Sequence, residues 1–177
     1  ETTAGALSVD TSANNNNQFV RETDGLSEIA LLAGTGNVTA LTVGTGDVLS
    51  ADAAVDITAT TLDFTVTDGD FGDTDTAAGN AIETTVTDIT VDSSGDDGSQ
   101  FIRETDGLAE LLLTAGSGNV SLETTAAGNV LSTDTAVDIS GTTVSVTIAD
   151  GDYGDTDTAA GNAIETTAGA LSVDTSA

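Results

Sequence analysis

The feature that most restricts the fold is a repeat. Residues 1–82 align with residues 83–164 without a gap, and more than half of the paired positions are identical. A third copy then opens, because residues 165–177 repeat residues 1–13 letter for letter. The chain therefore divides into a repeat A (1–82), a repeat B (83–164) and the start of another repeat A (165–177), with a larger period of 164 residues. Such a pattern reads as a window on a long tandem array. A fixed register over this length suits a stacked coil, where an insertion would break contact with both neighbours.

Within each unit the apolar residues come in short runs rich in Val, Ile, Leu and Thr: Ala6–Asp10, Gln18–Glu22, Asn37–Val43, Asp47–Leu49, Ala54–Thr58 and Leu62–Thr67. The second unit repeats the order, with Val120–Leu122, Val130–Leu131, Val137–Ile139 and Val144–Ile148. Spacings of about seven to twelve residues, punctuated by Gly, Asn, Asp and Ser, predict an all-β protein. Leu26–Ala33 and Leu108–Ala115 could pass for short helices, but their length between Gly-rich turns favours strands. The turn Ala13–Asn17, with its four asparagines, is replaced in the second unit by Gly95-Asp-Asp-Gly98, which predicts an exposed loop.

Two β architectures compete. Stacked β-sandwich modules need hairpins, whose tight turns carry Asn-Gly or Asp-Gly. Here Asn more often follows Gly, at Gly36-Asn37, Gly79-Asn80, Gly118-Asn119 and Gly128-Asn129, an order that suits corners between successive strands of a coil. The favoured fold is a parallel β-helix, or β-solenoid, with three or four coils per unit.

Composition narrows the function. The chain has 30 acidic residues against 2 basic ones, a net charge of −28, and no Cys, Met, Pro, Trp or His. Nucleic-acid binding depends on neutralising phosphates with Lys and Arg, so that class is excluded, as is docking on an anionic membrane. Self-repulsion of this size instead recruits cations. No apolar run approaches the length of a membrane span. Regularly spaced aliphatic residues argue against a disordered acidic tail.

The segments Gly36-Asn-Val-Thr39, Gly118-Asn-Val-Ser121, Val55-Asp-Ile-Thr58 and Gly79-Asn-Ala-Ile-Glu-Thr84 resemble those of filamentous-haemagglutinin-like bacterial surface proteins, in particular the giant β-strand-repeat adhesins. That resemblance implies a right-handed parallel β-helix, secretion to the cell surface, and a role in adhesion or surface coating. It carries over no catalytic residues. The expected function is a structural, non-catalytic extracellular filament or adhesin stalk. Its partners would be copies of itself, head to tail or in one covalent array, and cell-surface or matrix carbohydrate.

The most distinctive stretch is Thr67–Thr85, which holds Asp68, Asp70, Asp73 and Asp75 and returns with Asp150, Asp152, Asp155 and Asp157. Calcium takes six to eight oxygens from carboxylates and carbonyls on a flexible turn. Four aspartates with Gly69 and Gly72 between them make this loop the candidate calcium site, against the plainer reading of a solvated acidic loop. One such loop per unit is expected to recur along one side of the rod. Arg21 and Arg103, the only basic residues, are expected to clamp nearby carboxylates such as Glu22 and Asp24, or an Asp on the next coil. A β-helical polysaccharide-degrading enzyme is the poorer reading, since the chain offers carboxylates but no His or Lys, and no singular residue outside the repeat. So is an ice-binding solenoid, because the Thr-X-Thr pairs at Thr58, Thr65, Thr74 and Thr133 are unevenly spaced.

Overall fold

The computed structural model describes residues 1–176. Eleven strands form one continuous sheet: β1 (Ala6–Asp10), β2 (Gln18–Glu22), β3 (Glu28–Leu32), β4 (Val38–Thr45), β5 (Ile57–Asp68), β6 (Ile82–Asp92), β7 (Gln100–Glu104), β8 (Glu110–Thr114), β9 (Val120–Ala127), β10 (Ile139–Asp150) and β11 (Thr166–Asp174). All pairings between these strands are parallel. That removes the sandwich alternative, since hairpin-linked neighbours would run antiparallel. The fold is a β-solenoid of about seven turns, with coils about 24 residues apart. Individual coils differ in length: Ile82 lies beside Ile102, whereas Ile57 lies beside Thr84.

Each coil contributes to two stacked columns of strand. One column runs through β1, β3, the start of β5, the start of β6, β7, β9 and the later part of β10 to β11. The other runs through β2, β4, the later part of β5, the end of β6, β8 and the start of β10. Ala54–Thr58 and Leu62–Thr67, read from sequence as separate strands, thus belong largely to one strand that bends from the first column into the second. Alternate side chains point inward, so Ile29 and Leu31, Val38 and Ala40, Leu62 and Phe64, and Val120 and Leu122 fill the interior. Glu28–Leu32 and Glu110–Thr114 are strands rather than helices.

The two units meet in an unexpected way. Leu7 lies in the first column, whereas its repeat partner Ile89 lies in the second. Ile29 and its partner Leu111 are divided likewise. Each 82-residue unit therefore makes about three and a half coils, and consecutive units are related by a half-turn about the rod axis. The Leu26–Val48–Phe71 ladder follows the second column and leads back to the first. The matching Leu108–Val130–Tyr153 ladder runs on the opposite side. The two acidic loops consequently face opposite ways, which corrects the expectation that they line one side. Spacing alone could not show this, because an even repeat fixes the length of a unit but not its number of turns.

Turns are held by rungs between coils. Asn15 and Asp97 occupy the same turn position and both adopt the left-handed conformation, with φ of 52° and 58°. Their Oδ1 atoms accept the backbone N–H groups of Thr35 and Ser117 on the next coil at 2.9 and 2.8 Å. The asparagine run and its acidic replacement are thus two solutions to one corner. Gly107 is needed for two reasons: its φ is +97°, and an added Cβ would lie 2.7 Å from backbone atoms of Asn129 and Gly128. Gly107→Ala is expected to cost at least about 2 kcal/mol, measurable as a lower urea midpoint. A midpoint equal to wild type would mean that coils separate easily at that corner.

Both arginines meet carboxylates, as expected, but these are glutamates on adjoining coils rather than Glu22, Asp24 or an aspartate. Arg21 pairs with Glu1, and Arg103 Nε lies 3.7 Å from Glu123.

Candidate cation-binding carboxylate clusters

The loop aspartates are spread along the turn and act mainly on backbone groups. Asp70 Oδ1 accepts the Ser99 N–H at 2.6 Å. Asp75 Oδ1 accepts the Ala77 N–H at 2.8 Å and the Asn80 side-chain amide at 3.1 Å, bonds that lower its pKa. Asp157 repeats this with Ala159 and Asn162, and its pKa is lowered for the same reason. Asp73 and Asp155 donate their own N–H groups to the carbonyls of Asn80 and Asn162. Asp152 donates its N–H to Asn129 Oδ1 at 2.8 Å. Asp68 closes β5, where partial burial and the neighbouring Asp96 and Asp47 raise its pKa, and Asp150 closes β10.

Carboxylates converge elsewhere. One oxygen from each of Glu28, Asp52 and Asp56 lies within 4.8 Å of the others, and Glu110, Asp134 and Asp138 form the same group 82 residues later. Glu28 begins β3, Asp52 and Asp56 lie on the segment leading into β5 one coil on, and Glu83 approaches from β6 on the coil after that. Glu28 Oε2 accepts the Ala51 N–H, and Asp52 Oδ1 accepts that of Ala54. Asp56 is buried; its Oδ1 accepts from the Ser50 hydroxyl at 3.0 Å and its Oδ2 from the Glu83 N–H at 2.8 Å. In the second unit Ser132 bridges Glu110 and Asp138, while the Glu165 N–H donates to Asp138 Oδ2 at 2.6 Å.

Burial dominates the electrostatics. It pushes the Asp56 carboxyl up to about 8, the adjacent Glu83 carboxylate adding to the rise, although the Glu83 N–H and Ser50 hydroxyl oppose it. Asp138 rises to about 6 for the same reasons. The smaller rise accords with its place near the last described coil, where fewer atoms cover it. An all-oxygen set of carboxylate donors drawn from three successive coils matches hard divalent cations in chemistry.

These eight residues (Glu28, Asp52, Asp56, Glu83 and their counterparts Glu110, Asp134, Asp138, Glu165) escape a reading by local density, since none sits within a run of acids comparable to the loop. Their signal was recurrence at identical places in both units. Using it requires the coil lengths that bring residues 24 to 28 apart together.

Comparison with family models, curated proteins and solved structures returns no match. What stands is the class: a tandem-repeat parallel β-solenoid, with no described helix long and apolar enough to cross a membrane.

Proposed function

We propose that this chain is a structural, non-catalytic element of an extracellular fibre or adhesin stalk, built by stacking 82-residue units and stiffened by calcium. One observation carries the reading. The segment that opens repeat A also stacks on repeat B, where β11 pairs with β10 in register from Ile139↔Thr166 to Thr147↔Asp174. A unit is thus shaped to receive the next, through backbone hydrogen bonds that need no particular side chain. Head-to-tail stacking of separate copies would use the same edge, an open contact that makes filaments. The charge of −28 keeps rods apart laterally and supplies the demand for divalent counter-ions.

Ice binding has less support. Thr58 lies in the first column, Thr65 in the second, and Thr74 in a loop, so the Thr-X-Thr pairs do not stack into one flat array.

Tandem chains of two and four A–B pairs, imaged by negative stain, test the reading. At a strand spacing of about 4.8 Å, three and a half coils make each unit add about 17 Å of length. Rods that lengthen linearly with unit number support a fibre. Discrete globules of constant width, or beads on a flexible string, overturn it.

A further inference from the structure

The acidic triads alone would be ordinary surface chemistry, but a fourth carboxylate changes their character. Glu83 is 5 % exposed. Its Oε1 accepts the Gly79 N–H at 3.0 Å, while its Oε2 is buried with no hydrogen-bond partner. This carboxylate faces that of Asp56, so the two acids must share a proton unless a cation lies between them. The guanidinium that could have answered it belongs to Arg103, beside Glu83 in register on the next coil, yet Arg103 reaches the other way, to Glu123. Glu165 lies likewise next to Asp138 and, although only half-buried as a residue, has a buried, unpartnered Oε2. A buried anionic oxygen without a donor is costly unless a cation completes it.

We propose that Glu28, Asp52 and Asp56 with Glu83, and Glu110, Asp134 and Asp138 with Glu165, are calcium-class divalent-cation sites that staple each repeat unit to the next. The junction follows from the numbering: three ligands come from one unit, and the fourth is the opening glutamate of the unit after it. Each site ties three consecutive coils, so it resists both axial separation and slippage of register. By the half-turn relation the staples alternate between opposite sides of the rod, and successive junctions are clamped symmetrically. The acidic loops would then attract cations to the surface without being their resting place. The inference deepens the structural reading above and rests on it for purpose, though the site stands or falls by its own measurement.

The second site carries a built-in reporter. Tyr153 is the only tyrosine, there is no tryptophan, and its hydroxyl is close enough to Asp138 to feel that charge. Titrating the full chain with terbium, a luminescent calcium mimic, should give saturable tyrosine-sensitised emission that excess calcium reverses. Asp134→Asn and Asp138→Asn should each lower the apparent affinity at least tenfold. Asp155→Asn and Asp157→Asn, in the loop that carries Tyr153, should leave it within twofold. Calorimetry with calcium should find two sites, falling to one in Asp56→Asn, which titrates the dark site near Glu28. Circular dichroism of each variant guards against simple unfolding. Unchanged emission in Asp134→Asn and Asp138→Asn overturns the proposal. So does loss confined to Asp155→Asn and Asp157→Asn, which would put the ion in the loop. So does an absence of saturable binding, which would mean that Asp56 and Glu83 merely share a proton. Rods that form normally without bound cation would overturn the staple and leave the fibre intact.

Discussion

Phe71→Ala is expected to destabilise the protein by about 3–5 kcal/mol, the usual cost of emptying a fully buried aromatic site. The ring is wholly enclosed and packs at 5.0 Å and 58° against that of Phe64. Its backbone bridges Val48 on one side and Gln100 on the other, so the cavity would open where three coils meet. The equivalent residue of repeat B offers an internal control. Tyr153 is only partly buried, its hydroxyl 3.3 Å from Thr166 Oγ1, and the position matching Phe64 is Val146. Tyr153→Ala should therefore cost less than half as much. Because solenoid stability is a sum of local and nearest-neighbour terms, the Phe71 loss should appear as early melting of the surrounding coils, with distant ones retained. Hydrogen exchange resolved along the chain, alongside urea denaturation, would show it. Equal losses in the two variants would mean that the acidic loop, rather than the ring beneath it, sets the strength of this corner.

The contrast between these positions shows what the chain discloses when read as a string. Parallel stacking and strand content were legible, because alternation and a gap-free period are local or periodic properties. Val38, Leu62 and Val120 declare themselves as inward residues by alternation alone. The half-turn between units was hidden, since it depends on coils of unequal length summing to a half-integer. The cluster at Asp56 was hidden for the same cause. Asp68, Asp70, Asp73 and Asp75 attract notice by proximity in sequence, yet the structure spends several of them on turn geometry. Glu28, Asp52 and Glu83 meet only because coils of different length lay them side by side. Arg21 and Arg103 fell in between: that they would seek carboxylates was foreseeable, while the choice of Glu1 and Glu123 follows from the in-register columns.

The in-register column also explains a buried acid, outside the carboxylate clusters, whose titration should be visible in stability. Glu104 closes β7 fully buried, with Thr84 on the coil before it and Thr124 on the coil after. Its Oε2 accepts from the Thr84 hydroxyl, and its Oε1 from the N–H groups of Thr105, Val86 and Asp106. Burial nevertheless outweighs these donors, and with the Asp106 side chain opposing ionisation it pushes the carboxyl up to about 7 from 4.5. The folded protein therefore keeps a proton that the unfolded chain releases near pH 4.5. Between those two values the native state binds more protons, so stability falls as pH rises and levels off above about 7. The stabilisation lost over that window is about 3 kcal/mol. Glu104→Gln tests this cleanly. Glutamine keeps the Oε1 acceptor for the three N–H groups, and its amide can donate to Thr84 Oγ1 with the hydroxyl reversed. Wild type and variant should have equal urea stability at pH 4, and the variant should gain up to about pH 7 and keep that lead at pH 8. The wild-type-minus-variant difference cancels titration of every other carboxylate. A difference that stays flat with pH would show that the hydrogen-bond donors offset burial and leave Glu104 at its unfolded value; one that runs the other way would mean that they hold it ionised and that its charge strengthens the corner.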